Sequence, residues 1–428
     1  MRNQALSVRQ KQNLFYLYLL VCATLVGGLI YIKFAALYHF VVVALLLVVL
    51  LRGFSIKCQK TDIMIFFLLW MGEALISVLW APDRTLALQY VYYIFLLVAI
   101  CFLFNAFLTK QAIKPFCNFM ILLLFVCNWI AFWEILTGNH LVKDYLTDFD
   151  RARILQYVPG LFFWNPNDFA TYIIQIIPFS LAGVFNEHKW LRMIAIVNIV
   201  MSLITVFATQ SRTQIILLVI IYFCFFAISK KIKLIKLAVG ALILVGLLVL
   251  IFPELRGMLL EAWHSISRDE IASSATNGGS LETRFRLLGN GLFILWDTFG
   301  FGIGAGCHRA VMGEYAVQHY ATDGVTVMHN LLGEIFVDYG IFIGIVFMVV
   351  IAKAIVRLYK ISKNTAVYET KMLSLLLAIS LGLLIICGMS SSSILQLSSL
   401  WVTVCFISAF MKVNDDGISQ KGIEKESK

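Results

Sequence analysis

The residues of this sequence that could do chemistry stand at the ends of long apolar segments. His329 precedes one such segment, and Arg212, Arg284 and Arg286 lie beside others. A histidine can take a proton from a hydroxyl near neutral pH. The planar fork of arginine can meet two phosphate oxygens at once. These residue types suit the transfer of a group from an anionic phosphate leaving group to a hydroxyl acceptor.

Each of these residues also has a structural interpretation, and both interpretations stay open at this point. A lone histidine such as His329 is more often structural than catalytic. Arg212 is the only basic residue of a very short connection. Its side chain can snorkel to lipid headgroups instead of binding a phosphate at the membrane surface.

Two further polar motifs have chemical potential. The turn-forming run Asn165-Pro-Asn167-Asp168 precedes an apolar segment, for which Asp168 is the predicted N-cap. Alternatively, Asn165, Asn167 and Asp168, together with Asn330, line the mouth of a membrane cavity. Asp148-Phe-Asp150 matches the DxD pattern that holds a metal and a nucleotide sugar in many glycosyltransferases. Nucleotide sugars are cytoplasmic, whereas this loop is predicted to be outside, so we predict no metal site and no cofactor.

The composition indicates that these residues belong to a membrane protein. Of 428 residues, 61% are hydrophobic and 14% are charged, against roughly a quarter charged in a soluble domain. A soluble enzyme, a disordered chain and a coiled coil are therefore excluded. The net charge of +10 reflects membrane topology, because Lys and Arg collect in cytoplasmic loops. We do not expect a nucleic-acid partner.

Apolar runs long enough to cross a bilayer define the predicted architecture. We predict an all-α integral membrane protein, residues 1–428 forming a single polytopic domain with about twelve spans and both termini in the cytoplasm. The twelve segments are Leu14–Ile32, Ala35–Leu51, Ile63–Trp80, Tyr90–Leu108, Phe116–Leu136, Phe169–Phe185, Met193–Ala208, Gln214–Ser229, Leu237–Ile251, Leu331–Ile355, Met372–Met389 and Ile394–Met411.

The distribution of basic residues sets the orientation. With the N-terminus inside, 23 of the 34 Lys and Arg residues fall in cytoplasmic segments, as the positive-inside rule requires. Residues 137–168 and 252–330 then form two long outer loops, the second with short helices. Its apolar segment Leu287–Phe299 is too short to span and predicts an interfacial or re-entrant helix. The tail, residues 412–428, is cytoplasmic, and Asn414–Lys428 is predicted to be disordered.

Five short motifs, in order, resemble the O-antigen ligase and O-antigen polymerase (Wzy-type) superfamily of bacterial membrane proteins. The resemblance covers roughly Gly160–Val349. In the family, a Trp often follows the Arg284 position by four residues, and a Pro precedes the Gly-x-Gly. Here those positions hold Leu288 and Phe299, so Arg286 stays beside Arg284 as a candidate. The five motifs are Asn165–Asp168, Ser211–Thr213, Arg284 leading to Gly302-Ile-Gly304, His329–Asn330, and Gly340 to Gly344.

The resemblance implies a GT-C-like, metal-independent glycosyltransferase in the bacterial cytoplasmic membrane, with its site on the outer face. Its donor would be a glycan on polyprenyl (undecaprenyl) diphosphate, and its acceptor another glycan or a lipid-linked glycan. By match to the family pattern, His329 would be the general base. Arg212 and Arg284, or Arg286, would hold the diphosphate.

The sequence is compatible with three functions. A polymerase adds repeat units to a growing O-antigen, capsule or exopolysaccharide, and we favour it slightly. A ligase moves the finished glycan to a lipid A core or another acceptor, using the same donor. A transporter or lipid flippase fits twelve spans, but such proteins usually carry ionisable residues near the bilayer midplane. Here the candidate residues gather on the outer side.

Overall fold

The protein is built almost entirely from α-helices. The computed structural model describes residues 6–27, 31–32, 35–52, 61–141, 157–163, 165–229, 280–322, 324–389 and 394–426. Within these ranges we number thirteen α-helices, α1 to α13. They are Val8–Val26, Leu37–Leu51, Asp62–Ser77, Arg84–Phe107, Ile113–Thr137, Pro166–Gly183, Lys189–Ala208, Arg212–Ser229, Ser280–Asp297, His308–Gln318, Leu331–Asn364, Tyr368–Cys387 and Ser398–Glu426.

Eleven of the twelve predicted spans overlap described helices, and the twelfth, Leu237–Ile251, lies outside the described residues. Within the described part of the chain, six helices are long and apolar enough to cross a membrane: α4, α5, α7, α8, α11 and α12. The α5 segment is counted there together with the 3₁₀ turn Lys110–Ala112 that precedes it. The protein is therefore a multi-pass, all-α membrane protein.

Two predicted boundaries are wrong. The first span ends at Val26, and Tyr31–Ile32 pairs with Ala35–Ala36 as two short antiparallel strands before α2 begins. The C-terminal segment from Asn414 was predicted to be disordered, yet α13 continues to Glu426. Extending an existing helix costs far less than nucleating a new one, so polar residues after a span can stay helical.

The helices separate into two compact units. The first unit comprises Met1–Phe119, Phe285–Ala366 and Ser393–Lys428, and the second comprises Met120–Arg284 and Val367–Ser392. Side-chain hydrogen bonds join helices within each unit. In the first, Asn105 of α4 donates to Ser408 of α13 (3.0 Å). In the second, Asn198 of α7 donates to Ser180 of α6 (3.0 Å). Polar side chains commonly link helices within a bilayer in this way.

One membrane helix of the first unit, α11, is broken at Gly340. Gly340 has φ 84° and ψ 172°, so the predicted span Leu331–Ile355 consists of a nine-residue half-helix, Leu331–Tyr339, and a longer second half. Each half presents backbone groups that a continuous helix would have satisfied internally. Such groups need partners inside a membrane protein.

The glycine-rich segment after α9 supplies those partners. The amides of Ile303 and Gly304 donate to the carbonyls of Val337 (2.8 Å) and Asp338 (3.0 Å), and the carbonyl of Gly300 accepts from Ile341 (2.9 Å). The glycines of this segment let its backbone approach the backbone of α11 closely. A Cβ atom on Gly302 would stand 2.6 Å from the backbone nitrogen of Gly340.

We expect Gly302→Ala to destabilise the protein. Gly302 has φ 85°, which L-residues rarely adopt, and an added methyl group would meet fixed backbone atoms. The conformational cost alone is about 1–3 kcal/mol, and the clash adds to it. Thermal unfolding in detergent measures the loss. Gly313→Ala is the matched control, because Gly313 lies in α10 with no atom within 4 Å of its added Cβ. Equal unfolding temperatures for the two variants would contradict this account.

Candidate functional site

Two of the predicted site residues, Arg212 and Arg284, approach each other in the second unit. Arg212 is the exposed first residue of α8, and Arg284 is a half-buried residue in the second turn of α9. Burial lowers the pKa of Arg284 below its ordinary value, and the charge of Arg212 lowers it further. Both guanidinium groups stay charged at working pH. An anion placed between them would offset their repulsion.

The start of α8 is held in place by a network of side chains. Gln210 takes a left-handed backbone conformation (φ 56°) just before the helix. The Ser211 hydroxyl donates to the side chain of Gln214. The Gln214 amide in turn donates to the Thr171 hydroxyl of α6 (2.8 Å) and to the Cys387 carbonyl of α12 (3.4 Å). The first turn of α8, and with it the base of the Arg212 side chain, is thereby fixed to two neighbouring helices.

Arg286 makes a different kind of contact. Its guanidinium donates to the carbonyl of Ala321 (3.1 Å), in the loop that leads to His329. Residues two apart on a helix do not face the same neighbours, so Arg284 and Arg286 project from different sides of α9. The helix begins at Ser280, earlier than the predicted segment Leu287–Phe299, and carries both arginines. This geometry favours Arg284 over Arg286 as the partner of Arg212.

His329 is half-buried and has a strained backbone in the first unit. Its φ of 48° lies in the left-handed region, which is uncommon for a residue with a side chain. Strain of this kind is often stored at functional sites. The preceding residue, Met328, is buried in a hydrophobic core with Leu287, Met312 and Val337. That core ties the loop carrying His329 to α9, α10 and α11.

Two of the three asparagines predicted to line a cavity, Asn330 and Asn165, act as helix caps, and Asn167 lies in the first turn of α6. Asn330 is the N-cap of α11 and accepts from the amide of Gly333 (3.0 Å). Asn165 is the N-cap of α6 and accepts from the amide of Asn167 (2.9 Å). The prediction of Asp168 as that cap is wrong, because Pro166 takes the first helical position and makes the residue before it the cap. Asp168 is buried in the first turn.

A buried carboxylate that the sequence did not single out binds backbone amides on both sides of the segment 142–156. Glu134, near the end of α5, is fully buried. It accepts hydrogen bonds from the amides of Leu141 (3.2 Å), Gly160 (3.0 Å) and Leu161 (2.9 Å). The Nδ1 atom of His140 lies 3.7 Å from it. In the sequence it was only an isolated charge near the end of a span, and no local pattern indicated its distant amide partners.

A second pair was also missed, and it lies in the first unit. His308 and Asp338 are both fully buried, with 2.8 Å between the imidazole Nδ1 and a carboxylate oxygen. Neither residue belongs to the motifs that the sequence analysis singled out.

Other predicted features are untested by the geometry. Asp148-Phe-Asp150 lies outside the described residues. In the part of the chain that the structure describes, no three His, Cys, Asp or Glu side chains form a group that could hold a metal ion. His329 belongs to the first unit and the Arg212–Arg284 pair to the second, so their joint action stays a prediction.

Comparisons with known proteins agree with the motif analysis. Residues 197–349 match the family model for O-antigen ligase (Wzy_C). The chain is also 26% identical, over 366 residues, to the teichuronic acid biosynthesis protein TuaE of Bacillus subtilis (strain 168), an alignment covering 83% of this chain and 72% of the relative. The predicted resemblance to the O-antigen ligase and polymerase superfamily is therefore confirmed. The family match includes Arg212, Arg284 and His329, whereas Asn165–Asp168 precede it.

Proposed function

We propose that this protein transfers a glycan from a polyprenyl diphosphate donor to an acceptor sugar on the outer face of the cytoplasmic membrane. Polymerisation of surface polysaccharide repeat units is the reaction we favour. In this proposal Arg212 and Arg284 hold the diphosphate, and His329 takes the proton from the acceptor hydroxyl. The glycosidic carbon–oxygen bond to the diphosphate breaks as the acceptor oxygen bonds to that carbon, and the diphosphate leaves with the electron pair.

The approach of Arg212 to Arg284 is the observation that carries the proposal. Two guanidinium groups repel each other, and burial of Arg284 makes its charge more costly. A diphosphate offers two negative phosphoryl groups, and its negative charge grows as it leaves. Positioned cations stabilise that growing charge without a metal ion, and such electrostatic terms are often the largest in catalysis.

The donor class also fits the membrane setting. A lipid diphosphate is already an activated leaving group, so the reaction needs no nucleotide on the cytoplasmic side. The name of the relative, a teichuronic acid biosynthesis protein, supports polysaccharide synthesis as the setting of the reaction. The family description, O-antigen ligase, supports the second candidate, transfer of a finished glycan to a lipid A core or another acceptor. Both reactions use the same donor and leaving group, and only the acceptor differs. A transporter or flippase is the remaining, less favoured alternative.

The pattern of glycans on a gel tests the proposal and separates the two reactions. In the native host, we expect His329→Ala to match a deletion of the gene. A polymerase defect leaves single repeat units on the final acceptor, so the ladder collapses to its first step. A ligase defect leaves long chains on polyprenyl diphosphate and an unmodified acceptor.

A matched histidine variant controls for expression and handling. His188→Ala removes an exposed histidine just before α7 and should keep the wild-type ladder at equal protein level. If His329→Ala also keeps the wild-type ladder, its role as general base is wrong and the transporter alternative gains support.

A further inference from the structure

The buried pair His308–Asp338 joins the start of α10 to the half-helix Leu331–Tyr339. One carboxylate oxygen of Asp338 accepts from the backbone amide of His308 (2.9 Å). The other lies 2.8 Å from Nδ1 of its imidazole. The Nε2 atom of His308 is buried without a hydrogen-bond partner. Asp338 therefore binds both the backbone and the side chain of His308.

Asp338 lies at the C-terminal end of the half-helix Leu331–Tyr339. The carbonyl of Asp338 also accepts from the amide of Gly304 (3.0 Å), and the helix breaks two residues later at Gly340. At the other end stand the cap Asn330 and, before it, His329. Asp338 comes eight positions after Asn330, which is ~12 Å along the helix axis. A rigid half-helix that is held in place at Asp338 also holds the loop at its other end, which carries His329.

Charged groups on two helices face His308. From α11 these are Asp338 and Glu334, and from its own helix Arg309. Burial alone lowers the pKa of His308, but the charge and hydrogen bond of Asp338, with the charge of Glu334, raise it above its ordinary value. The two carboxylates of α11 thus favour the protonated form of His308.

Other titratable groups lie around this cluster, on α4, on α11 and next to His308 in the chain. Burial raises the pKa of the adjacent Cys307 thiol to about 11, and the carbonyl of Asp83 accepts from that thiol (3.4 Å). Tyr339 lies beside Asp338 and Cys307. Tyr90 of α4 lies under the guanidinium of Arg309, 5.8 Å from its ring centre.

We infer that His308 and Asp338 are positioning residues for His329. Their ion pair fixes the half-helix, and with it the strained backbone on which His329 is presented to the acceptor hydroxyl. The inference rests on the proposed function, because it assumes that His329 is the base. Neither residue of the pair is assigned a contact with substrate.

The direction in which the pKa of His308 changes determines how the rate and the unfolding temperature depend on pH. Because the folded pKa of His308 is raised, the stabilisation that its protonation supplies is fully present below the pKa of an unfolded histidine and is lost as pH rises through the raised pKa. The rate of the wild-type enzyme should therefore fall on the alkaline side, and its unfolding temperature should fall over the same range. The wild-type profile tests the inference without any variant.

Two substitutions separate the roles of the two imidazole nitrogens. In His308→Asn, the side-chain amide stands near the place of Nδ1 and can still donate to Asp338, but carries no charge. In His308→Gln, the amide stands near the place of Nε2 and loses that contact. We expect His308→Gln and Asp338→Asn to lower kcat about tenfold with KM within twofold of wild type, since small misplacements of a catalytic group cost rate. His308→Asn should lose less and show no alkaline fall.

The outcomes distinguish failure of the inference from failure of the proposed function. Purified enzyme, a polyprenyl-diphosphate-linked repeat unit and an acceptor are assayed at pH 6 to 10. A wild-type rate without an alkaline fall overturns the inference, as do folded His308→Gln and Asp338→Asn enzymes with the wild-type kcat. If His329→Ala retains full activity, the proposed function fails regardless of what the His308 variants show.

Discussion

Arg284→Ala is expected to lower kcat/KM for the lipid-linked donor about 100-fold or more while leaving the unfolding temperature of the protein unchanged or higher. The two effects have one cause. Arg284 is half-buried beside Arg212, and both burial and that charge disfavour its protonated form. Removing it relieves a repulsion in the free enzyme and removes a cation from the bound diphosphate. Arg284→Lys should recover part of the activity, because it keeps the charge but loses the bidentate fork.

Arg286→Ala provides the contrast on the same helix. Its guanidinium holds the Ala321 carbonyl, so its loss should lower the unfolding temperature and reduce activity less than Arg284→Ala does. Inorganic pyrophosphate should raise the unfolding temperature of the wild type and leave that of Arg284→Ala unchanged. A destabilised Arg284→Ala with normal donor kinetics would show that Arg284 is structural.

The location of the helices could be predicted because hydropathy is a local property. Each apolar run must satisfy its backbone internally in a bilayer, so the run itself determines a helix. The break at Gly340 could not be predicted in the same way. The apolar pattern runs through it, and only the approach of the Gly300–Gly304 segment makes the break possible.

The candidate site likewise contains residues that could be predicted from the sequence and residues that could not. Arg212 could be picked out because it is an isolated charge in a short connection, whereas its approach to Arg284, 72 residues later, depends on how the chain folds. Glu134 and His308 were missed because their partners are distant in sequence. A buried carboxylate that receives three backbone amides has no sequence signature. The N-cap of α6 was misplaced by three residues because Pro166 outweighs the capping preference of Asp168.

His329→Ala is expected to lower kcat by about two to four orders of magnitude, the usual contribution of a general base, with a much smaller change in KM for the donor. The acceptor hydroxyl then loses its proton acceptor, while the arginines assigned to the diphosphate are unchanged. In the wild type, the rate should fall as the medium is acidified, because a protonated imidazole cannot accept a proton. The residual rate of His329→Ala should lack that acid limb, and added imidazole should restore part of it.

His329→Asn separates this chemical role from a structural one. Asparagine tolerates the left-handed backbone better than most residues, so the φ of 48° at this position can be kept with less strain. The variant should therefore fold as stably as the wild type and still lack activity. A folded His329→Asn enzyme with the wild-type rate and acid limb would place the base elsewhere. The left-handed backbone of His329 would then serve only the start of α11. Asn330 and Gly333 form the cap of that helix, and they would do so in the variant as well.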